Sequence, residues 1–196
     1  MKRIQIVGLL VRLGVITAVI PSVAPAHIKL LEPLSTWSTE NGGKGKPPCG
    51  EGIPSTIITK ARGGHPLTVR VQEFIPHPGH YRIALSTKSR DELPVDPVVE
   101  MVDNKSVSAA IAENPQPPIL ADGVFPHTTT PRNTEWKMDV MLPNLSCEKC
   151  TLQVIQFMAN HPGHADGVYY HSCADLEITA DPSLPPAGDA WMVPAK

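Results

Sequence analysis

"PLTVRVQEFIPHPGHYRIALS", residues 66–86, contains two strands and the loop that joins them. In "PLTVRVQEF" the apolar residues Leu67, Val69 and Val71 fall on one face at the two-residue period of a half-buried strand. "HYRIALS" repeats the period with Tyr81, Ile83 and Leu85. Between them Pro76, Pro78 and Gly79 make a stiff, tight loop that carries His77 at its tip, with His80 opening the second strand. A histidine on a preorganised loop is a good candidate ligand, and His77 is preferred over its rival His80.

The same alternation recurs outward along the chain. "EWKMDVML" places Trp136, Met138, Val140 and Leu142 on one face, and "CTLQVIQFM" and "CADLEIT" continue the pattern, with "STIITKA" a weaker strand before Gly63-Gly64. No window sustains a 3.6-residue period. The chain holds 22 prolines and 14 glycines, a mix that favours short strands joined by many turns. An antiparallel β-sandwich is expected, with a short helix near "SVSAAIAEN" (106–114) and long loops over 103–134. Residues 181–196, "DPSLPPAGDAWMVPAK", have too little apolar periodicity for core and are expected as an extended or mobile tail.

The N-terminus reads as an export signal. Lys2 and Arg3 precede an apolar run that Arg12 interrupts, and Ala24-Pro25-Ala26 supplies small residues for cleavage. The interruption leaves too short an apolar stretch for a spanning helix. The expected organisation is a signal peptide at 1–26, one domain at 27–180 and the Pro-rich tail at 181–196. Cleavage removes three cations and moves the formal net charge from −2 to −5, which argues against a nucleic-acid partner. A secreted or periplasmic monomer, free of the membrane after cleavage, is expected. Four cysteines in an exported chain suggest two disulfides with three possible pairings.

Cleavage after Ala26 makes His27 the first residue, with a free amine beside its imidazole. That amine has an ordinary pKa of about 7.7–8.0, so a divalent ion can displace its proton near neutral pH. With His77 it completes a planar three-nitrogen set, and tetragonal nitrogen ligation favours Cu(II). A structural zinc site would more usually recruit a further Cys or His. His65, His80 and His127 are expected to add little to copper binding.

These residues resemble the lytic polysaccharide monooxygenases. The likeness rests on His27 at the cut site, on "HPGHYRI" ahead of a strand, on "LPNLSCEKCTLQVIQFM" and on the closing "GVYYHSCADLEI". It implies a secreted, immunoglobulin-like β-sandwich in which His27 and His77 brace a copper ion. Tyr170, three residues before Cys173, takes the axial position. The same picture pairs Cys49 with Cys173 and Cys147 with Cys150 as structural staples. It also implies oxidative cleavage of a polysaccharide such as chitin or cellulose, driven by an external electron donor.

The chain departs from the family in two places. Val168 stands where cellulose-active fungal members carry glutamine, and Gly167 offers no polar group either. A second-sphere donor must come from Gln156, His161 or His164, of which His164 is preferred because the Pro162-Gly163 turn could carry it to the site. Trp37 is the one plausible sugar platform, or else an anchor of the Cys49 loop. The alternative function keeps the brace without catalysis, as a copper-binding protein for acquisition or storage. A metal-free carbohydrate-binding sandwich is a third reading.

Overall fold

A computed structural model describes residues 28–37, 46–53 and 55–191. Among these, ten strands follow in order: β1 (Ile28–Glu32), β2 (Ile58–Arg62), β3 (Pro66–Glu73), β4 (Gly79–Ser86), β5 (Val99–Val102), β6 (Lys105–Ala109), β7 (Ile119–His127), β8 (Thr134–Met141), β9 (Cys147–Met158) and β10 (Tyr169–Thr179). One sheet has the order β1-β3-β8 and the other β2-β10-β9-β4-β7, with β5 and β6 as a separate hairpin. Pairing is antiparallel except between β2 and β10. The result is the all-β sandwich expected from the alternating segments.

The core lies between the two sheets. Ile28, Leu30, Val69, Val71 and Val140 from the smaller sheet meet Tyr81, Ile83, Leu85, Leu152, Val154, Leu176 and Ile178 from the larger. These are the inward positions of the two-residue period, so burial of apolar area drives the arrangement. The disulfides are Cys49–Cys173 and Cys147–Cys150. No helix among the described residues is long and apolar enough to cross a membrane.

Two local expectations are corrected. "SVSAAIAEN" is not a helix: its first residues belong to β6, which turns back on β5 through Asp103 and Asn104 at φ 49° and 59°. Consecutive left-handed residues make the tight hairpin turn that Asp and Asn tolerate best. The supposed loop region 103–134 also contains the nine-residue β7. Its register against β4 shifts three times, and Gly123 and Phe125 have φ of 63° and 52°, so no clean alternation marks it in the sequence.

The two HPGH tetrapeptides are not equivalent. Gly79 pairs with both His127 and Met158, and a Cβ on it would overlap the Phe157 carbonyl oxygen. Gly163, at φ 129°, faces open space. The first tetrapeptide is locked into the five-stranded sheet, and the second is bridged to β6 through Pro162 and Lys105.

Residues 181–191 hold a turn at 182–183 and the 3-10 turn Asp189–Trp191, and are tied to the sandwich by Asn144. Its side-chain amide donates to the carbonyls of Asp181, Leu184 and Pro185 at 3.0, 2.9 and 2.8 Å and accepts from the Asp181 N–H at 2.7 Å. Asn144→Ala should cost about 1–3 kcal/mol, because it strips buried backbone groups of their partners. Chemical denaturation will read this as a lower midpoint with an unchanged slope.

Candidate metal centre

His27 lies outside the described residues. Ile28 opens β1 directly opposite Glu73, the last residue of β3. Glu73 sits at the next inward position after Leu67, Val69 and Val71, and it is fully buried. A carboxylate in such a place needs partners for both oxygens.

It has them. Oε1 accepts the His77 backbone N–H at 2.9 Å and the Gln156 side-chain amide at 2.6 Å. Oε2 accepts the Trp136 indole N–H at 3.3 Å. The His127 ring stands with Nε2 at 3.3 Å from the same oxygen, an ion contact without hydrogen-bond alignment. Trp136 stacks on His127 at 5.0 Å between ring centroids. Glu73 therefore joins the His77 loop to strands of both sheets.

His77 is half-buried, with the ring of His161 edge-on at 5.5 Å. Burial and then the His161 ring push the His77 imidazole below its usual pKa, against the pull of Glu73. His77 is thus neutral near pH 7, the form that binds metal. The nearby Tyr170 on β10 pairs with Gln156, which also pairs with Tyr81 on β4. The three side chains form one row on the inner face, and burial raises the Tyr170 phenol. Tyr170 stays protonated across the physiological range.

The remaining candidates scatter. His164 is exposed, capping the short 3-10 turn Ala165–Gly167 without a side-chain cap bond. Among the second-sphere candidates, the structure brings His161 and Gln156 to the His77 loop. His80 points to the outer face and packs on Phe157 at 5.2 Å. His65 binds Asp181 at 2.7 Å, and the fully buried His171 binds Asp96 at 2.8 Å. Val168 is buried among apolar neighbours. Trp37 donates its indole N–H to the Cys49 carbonyl at 2.8 Å, with the Arg90 guanidinium 5.9 Å over the ring. It anchors the disulfide loop.

Burial pushes the Glu73 carboxyl up, but the His127 ring, the His77 amide and the Trp136 indole outweigh it and leave the group below its usual range. Burial lowers His127, yet Glu73 and the Phe125 carbonyl raise it overall. The signs are opposite. The Glu73 contribution to stability is present above the ordinary carboxylate range and is lost as pH falls through the depressed value. The His127 contribution is full below the ordinary imidazole range and is lost as pH rises through the raised value. The metal-free protein should therefore be most stable between the two, and Glu73→Gln should flatten the acid side. Urea midpoints across pH test this; an unchanged acid side in Glu73→Gln would contradict it.

No protein-family model and no curated protein matches this sequence. Among solved structures the chain is similar to a lytic polysaccharide monooxygenase AA15 from Thermobia domestica in the Cu(I) state. The identity is 20%, the TM-score 0.42, and 68% of this chain and 71% of that chain are covered.

Proposed function

We propose that this chain is an exported copper protein whose mature N-terminal His27 and His77 hold one copper ion, and that it cleaves a polysaccharide oxidatively. The observation that carries the reading is the placement of His77. Its loop is fixed by a buried carboxylate at the end of the sandwich where β1 begins, one residue after His27. The donor set fits copper: a neutral imidazole, a second imidazole with its own α-amine, and a phenol kept protonated by burial.

Copper, when bound, supplies the one-electron chemistry with oxygen or peroxide that such a cleavage requires. The protein's own contribution is geometric. Glu73 fixes the His77 loop, and the buried Tyr170 offers a weak neutral group. Gln156 reaches the site already engaged with Glu73, and His161 lies beside His77, so His161 is the better-placed second-sphere residue. Chitin and cellulose are the expected substrate classes, with an external electron donor.

A second reading, copper binding without catalysis, is favoured by Trp37. Its indole is engaged with Cys49 and Arg90, which removes the one plausible aromatic platform for a flat sugar face. Mass spectrometry of the copper-loaded mature chain with reductant and a panel of chitin, cellulose and xylan separates the two. Oxidised oligosaccharides are expected. Their absence across the panel, with tight copper binding retained, would establish the carrier.

A further inference from the structure

We infer that Glu73 is the positioning residue of the His77 loop, and that the site requires a carboxylate there which no isostere replaces. The inference rests on the copper reading above and deepens it. Its ground is the chemistry of the partners. The His77 N–H, the Gln156 amide and the Trp136 indole N–H are all donors, two on Oε1 and one on Oε2. His127 gives its Nδ1–H to the Phe125 carbonyl at 2.7 Å, and its Nε2 stands 3.3 Å from Oε2, an ion contact when the ring is protonated. Each oxygen therefore accepts from at least one fixed donor.

An ionised carboxylate accepts on both oxygens and donates on neither. Glutamine has the same length and shape, but either orientation of its amide sets an NH2 against at least one donor. If the NH2 replaces Oε1, it opposes the His77 N–H and Gln156. If it replaces Oε2, it opposes the Trp136 indole N–H. A shorter aspartate keeps the charge and loses the reach. The hub draws on β3, β7, β8, β9 and the His77 loop, so it fixes that loop against both sheets at the point where Ile28 enters. Hydrogen-bonding partners that orient a metal ligand typically matter about 10–100-fold in metal affinity.

The test uses the mature chain with five variants and three readouts. Glu73→Gln should weaken Cu(II) binding by about tenfold or more and alter the electron paramagnetic resonance spectrum of the loaded fraction. In the metal-free protein the His77 amide proton, donated to a carboxylate in the native chain, should lose its low-field resonance. Trp136→Phe removes one donor and should move all three readouts the same way by less. Asn144→Ala, at the tail anchor, should lower stability while leaving affinity, spectrum and the His77 amide unchanged. That contrast separates positioning from loss of stability. Should Glu73→Gln not fold, Trp136→Phe and Gln156→Ala carry the comparison. Unchanged affinity, spectrum and amide in the folded variants overturn the inference, while loss of copper in His77→Ala keeps the copper reading intact. If His77→Ala binds copper like the native chain, both fall.

Discussion

Adding one methionine before His27 of the mature chain is expected to damage copper binding as severely as His77→Ala does. The extension keeps the imidazole but turns the α-amine into an amide, whose nitrogen does not release its proton readily near neutral pH. The chelate that joins amine and ring nitrogen to one ion is lost. Oriented outer partners alone are worth about 10–100-fold in metal affinity, so losing a ligand should cost at least about 100-fold. His65→Ala is the matched control, because that ring is tied to Asp181. Calorimetric titration of Cu(II) into the three proteins reads the result. Tight binding by the extended chain would remove His27 from the site.

The second large effect is on stability. Cys49–Cys173 spans 124 positions and Cys147–Cys150 only 3. In the chain-entropy model the long closure is worth about 4–5 kcal/mol and the short one about 2. Cys49→Ala with Cys173→Ala should therefore cost at least twice as much as Cys147→Ala with Cys150→Ala. The long staple also holds a docked segment: Thr36 donates both its N–H and its hydroxyl to the Cys173 carbonyl, at 2.8 and 3.0 Å. Trp37 should become more exposed when that staple is removed. Denaturant unfolding followed by tryptophan fluorescence measures both effects, and equal costs for the two pairs would contradict the loop-length account.

The strands legible in the sequence are those whose core-facing apolar residues recur at every second position, even where, as in β4, both faces are buried. Leu67, Val69 and Val71, and Tyr81, Ile83 and Leu85, announce their period because one side of each strand meets the core. β7 was not legible, because its register shifts and left-handed residues break the period that periodicity reading relies on. β6 is hard to tell from helix because "SVSAAIA" carries small residues that suit either state, and the deciding turn is the Asp103-Asn104 pair upstream.

The candidate site divides in the same way. His77 stands out because prolines and glycine bracket it. Glu73 carries a quieter signal: it is the next inward position of the Leu67–Val69–Val71 stripe, where a charge must be buried. His127 and Trp136 had no local signal, since only the closure of β7 and β8 over the end of the sandwich brings them to Glu73. Choosing between His161 and His164 needed the fold as well, because both lie in the same short turn and only one faces His77.

The central claim is that one copper ion is held jointly by His27 and His77. Electron paramagnetic resonance of the mature chain with one equivalent of Cu(II) tests it most directly, with His77→Ala and the Met-extended chain alongside. The account predicts an axial spectrum with nitrogen superhyperfine structure in the native chain, and a different spectrum in each of the two variants. A native spectrum that survives unchanged in both would place the copper elsewhere and contradict it.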